Sequence, residues 1–359
     1  MSVRNPLIFR TMNAMKTTLC SITVTAGALL FTSPASAADA PQPVAVTAAF
    51  NATEQAPRMF TVALPEVLKG VKRVAVPLFT IDFTTADSES AETSGFAAAG
   101  RARASSFYKL KGVGQAEFQA LTDAAYARFL ADLQAAGFET VAADRWQASG
   151  SYRKMAATGK PAPALRDDGM MLAPAGMAIY GFSQAAAGGS KPGLFSGLSA
   201  MGSAFSAVGA AVDAVELGKE LDAAVVEVQL RVHFVQLTNE NKGFLGRLSG
   251  TASVGSKVYP SITGATYSVQ SSTRGSLTLK QPLALDASVF SEVRKAPTTT
   301  ADVAGAIAVG LLQLAIGSKS SSSSEEMEAV ADPARYREVV GGGLSVLNQM
   351  FVQRLRAGE

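Results

Sequence analysis

The apolar positions of this chain repeat with two different periods. Between Gly114 and Ala136, Phe118, Leu121, Ala125, Phe129 and Leu133 recur every three or four residues, which predicts an amphipathic helix lying on a core and stopped by Gly137. A second stripe, Tyr336, Val340, Leu344, Leu347, Phe351 and Leu355, predicts a closing helix over Pro333–Arg356, with Asp332 as its cap and Pro333 in its first position. Elsewhere the period is two. Val226, Val228, Leu230, Val232 and Phe234 alternate with Glu227, Gln229, Arg231 and His233, so Ala223–Leu237 reads as a half-buried strand with His233 on its solvated side. Val71–Phe83 (VKRVAVPLFTIDF) is β-branched and aromatic, and its phase changes near Pro77, which predicts a first strand with a bulge or bend.

The remaining elements rest on shorter signals. Phe138–Ala142 and Met177–Ser183 read as short strands, and Asp144 as the cap of a helix running through Trp146 and Tyr152. Beyond a turn at Asn239, Glu240 and Asn241, antiparallel strands are expected at Thr251–Tyr259, Thr266–Ser271 and Ser276–Leu283, separated by Pro260, Gly264 and Gly275. Ala38–Pro57 lacks sustained periodicity and reads as a mobile arm, Thr84–Ser106 as a long polar loop or flap, and Ser320–Ser324 with Glu325 and Glu326 as a low-complexity linker. The expected class is α+β with an α/β start: a mixed sheet with amphipathic helices packed on it, an antiparallel β-rich second half and a C-terminal helix. One domain is expected over 58–359, with Ala/Gly-rich insertions near 187–218 and 300–326.

Within those insertions, Pro192–Val212 and Val303–Ser318 carry no charge and are punctuated by glycine, as in Gly193-x-x-x-Gly197. Such spacing lets backbones approach closely in a membrane. Four serines dilute the first segment, and the second falls short of the roughly 20 residues a crossing needs, so both are expected as buried or flexible helices.

The first residues read as a secretory leader. Arg4, Arg10 and Lys16 form a basic n-region, Leu19–Phe31 is an uncharged apolar run, and Ala35-Ser36-Ala37 is a cleavage site of the A-x-A type. Met15 is an alternative start that yields the same mature chain. Cys20 lies too close to Lys16 to be a lipidated cysteine, because no apolar region precedes it. Residues 1–37 are therefore expected to be a cleaved signal peptide, and the mature protein periplasmic or secreted from a bacterial cell.

Cleavage changes the composition. The chain holds 32 basic and 29 acidic residues, and the leader takes three of the basic ones, so the mature charge is near zero and nucleic acid is not an expected partner. The single cysteine also leaves, which removes thiol nucleophiles and thiolate metal sites. His233 is the only histidine, so zinc sites built on several histidines are excluded. Asp87, Glu89 and Glu92 lack the spacing of a calcium loop, and neither a metal nor a cofactor is expected. Phosphate-cradling glycine motifs and the G-x-S-x-G elbow are absent from the sequence. Ser151-Tyr152-Arg153-Lys154 matches S-x-x-K, in which a helical turn sets a lysine beside a serine nucleophile, so Ser151 and Lys154 are the candidate catalytic residues. Asp82 and the Asp167-Asp168 pair are candidate carboxylates for hydrolysis.

The order of VKRVAVPLF, ARFLADLQAAGFETV, MAIYGFS, VEVQLRVHFVQLTNEN and a C-terminal amphipathic helix resembles envelope α/β modules of the curli-secretion lipoprotein family and the N-terminal domain of the Tol translocation protein. The resemblance covers about half of the mature chain. No lipidated cysteine opens that chain, no propeller follows, and the two Ala/Gly-rich segments are extra. What it implies is a scaffold, assembly or secretion role without catalytic residues. The expected partner is another envelope protein or a second copy, with 192–212 and 303–318 as candidate sites of peripheral membrane contact. The alternatives are an envelope hydrolase using Ser151 with Lys154 or a carboxylate pair, and a membrane-inserting oligomer.

Overall fold

The computed structural model describes residues 41–92, 103–180, 208–239, 254–271, 273–296 and 324–358. The expected leader and the segments 192–207 and 303–318 lie outside the described residues. In chain order the first elements are β1 (Val44–Ala45), α1 (Ala52–Met59), β2 (Phe60–Ala63), β3 (Arg73–Thr84), β4 (Ala86–Glu92), β5 (Arg103–Lys111), α2 (Gln115–Ala135) and β6 (Glu139–Thr140). There follow α3 (Ala143–Gln147), α4 (Gly150–Ala157), β7 (Ala164–Arg166), β8 (Gly169–Leu172) and α5 (Val208–Leu221). The last third supplies β9 (Ala224–Asn239), β10 (Val254–Gln270), β11 (Arg274–Leu279), β12 (Leu283–Ala284), β13 (Phe290–Lys295), β14 (Ser324–Ala331) and α6 (Pro333–Arg356). This is an α+β fold with a C-terminal helix, as the periodicity predicts.

The main mixed sheet runs β1-β12-β10-β9-β3-β8-β7, with β6 on β3, β11 on β10 and β2 on β11. β3 is central: it runs parallel to β9 and antiparallel to β8. The register with β9 shifts between Ala75 and Leu78, which is the irregularity expected at Pro77. Helices α2 and α6 cover one face, and a ring network fixes them there. Phe83 of β3 stacks on Phe118 of α2 with centroids 4.4 Å apart, and Tyr267 of β10 stacks on Phe351 of α6 at 4.1 Å. Phe129 touches Phe79, Tyr267 and Phe351, so it joins both helices to both strands. The pairs Phe118–Tyr336 and Phe129–Phe351 show that the two helices run parallel. Gly137, at φ +99°, ends α2 as its position predicts. The buried Tyr267 hydroxyl donates to Asn348 Oδ1 at 2.7 Å.

Several expectations are corrected. The arm 38–57 contains ordered elements: β1 pairs with β12, and Asn51 caps α1 by accepting from the Thr53 and Glu54 amides. The loop expected at Thr84–Ser106 contributes β4 and the start of β5 to a second sheet, ordered β13-β14-β5-β4. The linker expected at Ser320–Glu326 ends in β14, which runs parallel to β5. Polar strands on both sides are stabilised here by cross-strand pairs, Lys109 with Glu326 at 2.6 Å and Arg294 with Glu328 at 3.1 Å, which alternation in a single sequence does not reveal. Pro260 does not separate two strands: β10 passes through it, and register shifts between Val258 and Ser261 and between Ile262 and Gly264 absorb the missing amide. The strand expected at Ser276–Leu283 is split into β11 and β12.

Asp144 lies in the first turn of α3 rather than at its cap, and α4 starts separately with Ser149 accepting from the Tyr152 amide. Of Met177–Ser183, only Ile179 pairs, in an isolated bridge to Lys160, and 181–183 lie outside the described residues. The part of the first insertion from 208 onward is α5. No helix among the described residues is long and apolar enough to cross a membrane.

Replacing Phe351 with alanine is expected to lower unfolding stability by about 3–5 kcal/mol, because its ring contacts with Phe129 and Tyr267 vanish from a site that is fully buried. Tyr267→Phe, which retains the ring and removes only the hydroxyl, should lose about 1–3 kcal/mol. Urea denaturation followed by circular dichroism measures both.

Candidate functional site

The side of β3 and β9 opposite Phe79 and Phe83 is polar and buried. Register places Thr80 beside Gln229 and Asp82 beside Arg231, and on β10 Thr266 lies beside Gln229 and Ser261 beside His233. The alternation in β9 is as predicted, but the solvation expected of its polar side is overturned: Glu227 is 5% exposed and Gln229 8%.

Asp82, one of the carboxylates singled out from sequence, is the centre of this face. Its Oδ2 accepts from Arg231 Nε at 2.9 Å and from Arg166 Nη1 at 2.7 Å, and Arg166 reaches it from β7 across β8. Arg166 also donates through Nε to Asp168 at 2.9 Å. Asp82 Oδ1 is buried and finds no hydrogen-bond partner. Asp167 is exposed in the β7–β8 turn. His233 is nearby on β9: its Nδ1 stands 3.9 Å from Asp87 Oδ2. Its side chain is 13% exposed, so the expected surface histidine is corrected to a largely buried one. Burial, with the charge of Arg231 adding to it, pushes the imidazole pKa down to about 3, against the opposing pull of Asp168. His233 is therefore neutral at neutral pH. The sequence singles out Asp82, Asp87, Asp168 and His233 in separate contexts, and the fold brings them around Arg231, read there only as a polar strand position, and Arg166, which no sequence signal marks.

Further along the same face, buried Glu227 accepts from Arg274 Nη2 at 3.0 Å. Burial raises the pKa of this carboxyl and Arg274 opposes the rise. Tyr180 is also fully buried, and its hydroxyl has no hydrogen-bond partner among the described residues.

The structure pairs Ser151, one of the two candidate catalytic residues, with Glu220 rather than with Lys154. Ser151 is buried in the first turn of α4, and its hydroxyl donates to Glu220 Oε1 of α5 at 2.6 Å. That bond is the largest cause of the lowered Glu220 pKa, and Lys154, exposed on the next turn, acts on Glu220 only through its charge. The carboxylate therefore serves the N-terminal turn of α4, where the unpaired amides favour an anion. Glu89 lies on β4, and Glu92 ends that strand. Among the described residues no group of three His, Cys, Asp or Glu is arranged to hold a metal ion.

Sequence reasoning missed a groove of about 410 Å³ between the outer sides of α2 and α6. Ala120, Leu121, Ala124, Ala125 and Arg128 line one wall, and Arg337, Gly341 and Ser345 the other. The signal was present: Ala116, Ala120, Ala124, Ala127, Ala131 and Ala135 form the exposed side of α2, where a water-facing helix ordinarily carries long polar residues. Gly343 is explained within the chain, since a Cβ there would stand 2.6 Å from Leu285. Gly342 faces open space and Gly341 only an ordinary contact with Leu121, although glycine inside a helix costs about 1 kcal/mol relative to alanine.

Comparison with known proteins returns no match, whether with family models, curated proteins or solved structures.

Two outcomes test the Asp82 cluster. Asp82→Ala leaves two guanidinium groups without their shared anion and is expected to destabilise the fold by about 3–5 kcal/mol in urea titrations. For His233 the folded pKa lies below the unfolded value near 6.5, so the unfolded chain binds the proton first. Its contribution is fully present above about pH 6.5 and declines by about 1.4 kcal/mol per pH unit toward pH 3. His233→Gln should flatten that part of the stability profile, measured by denaturation at successive pH values.

Proposed function

We propose that this chain acts outside the cytoplasm as a non-catalytic binding and assembly module of the bacterial cell envelope. The observation that carries this reading is the engagement of its reactive groups in holding the fold. Asp82 is shared by two arginines, Asp168 is bound to Arg166, and the Ser151 proton is directed to Glu220. The resemblance to envelope assembly modules and the leader-like first residues support the same reading, with another envelope protein or a second copy as partner.

Two measurements test it together. Mass spectrometry of the periplasmic fraction should find an amino terminus at Ala38, and gentle cross-linking of intact cells should shift the protein into a larger complex. Ester or amide hydrolysis by the purified protein that disappears in Ser151→Ala would defeat the reading, as would an intact leader in cytosolic material.

A further inference from the structure

The α2–α6 groove identifies what such a module would hold, an inference that rests on the binding role just proposed. Its floor is small and apolar, and an arginine stands at each end. Because the helices run parallel, Arg337 stands near the start of α2, where its charge acts on Glu117, while Arg128 stands near Ser345 at the other end. Arg128 gives only its Nε to Asp132, and neither guanidinium bonds any other described residue. The distance from Arg337 to Ser345 along α6 is about 12 Å, eight residues at 1.5 Å each.

The glycines supply an independent constraint. Packing within the chain accounts for Gly343 and leaves Gly341 and Gly342 without an internal reason. A surface kept at backbone height beside the alanines of α2 is the shape that admits another helix at close range. A second copy laid antiparallel in the groove would set guanidinium upon guanidinium, so the charges favour a different chain.

We propose that this groove seats a helix of another envelope protein. The contact face of that helix is small and apolar, and it carries two carboxylates about two turns apart, one for Arg337 and one for Arg128.

The probe is an alanine-rich helical peptide with two glutamates about eight positions apart, set against the same peptide with lysines in their place. Fluorescence anisotropy with the full mature chain should show the glutamate peptide binding at least about tenfold tighter than the lysine peptide. The pair Arg128→Glu and Arg337→Glu should invert that preference. Ala124→Trp, an exposed position that fills the groove, should remove binding of both peptides while the melting temperature is maintained. Equal binding of the two peptides, binding of neither, or a preference that survives the charge reversal would overturn the proposal. So would anionic phosphatidylglycerol vesicles that displace the peptide through the same arginines, since the surface would then belong to lipid. If cross-linked complexes persist in cells carrying Ala124→Trp, the binding role stands and the groove falls. If the wild type forms none, the binding role itself falls.

Discussion

One carboxylate oxygen ties three strands together. Asp82 Oδ2 accepts from Arg231 on the neighbouring strand and from Arg166 two strands away, so β3, β9 and β7 are fixed by charge as well as by backbone pairing. Buried charges of this kind are costly to desolvate and contribute only when each finds its partners. The arrangement gives the sheet two unlike faces. One is aromatic and sealed by α2 and α6, and the other is an interior of Thr80, Gln229, Thr266 and Ser268 bracketed by two ion-pair clusters. The aromatic face determines how the helices lie, and their parallel setting in turn creates the groove.

The long periodic elements were legible in the sequence. α2, α6 and β9 follow from stripes of residues that meet the core, and the α+β class follows from their order. The short elements were not. β6 is two residues long and is held by β3, and β14 is a polar strand stabilised by β5, more than two hundred residues earlier. Neither contains in its own composition the reason it is extended, because that reason is the partner strand.

The site shows the same division. Asp82, Asp168 and His233 stand out as residue types, yet nothing in their spacing shows that β3, β8 and β9 lie side by side. Nothing marks Arg166, and Arg231 reads only as a polar strand position, since an arginine on a strand reads as solvated until its acid is located. The S-x-x-K spacing likewise shows only part of its setting: the turn of α4 places Lys154 one turn from Ser151, while α5 brings Glu220 to the hydroxyl. Conversely, the alanines on the outer face of α2 are visible in the sequence, on the side opposite the apolar stripe.

The second sheet has an implication for how the molecule comes into being. Its inner pair joins β5 to β14, so a strand made early waits unpaired on that side until β14, more than two hundred residues later, is available. Closure of such a distant pair is slow compared with local helix formation. A nascent chain would therefore display the β5 edge to its surroundings until β14 arrives.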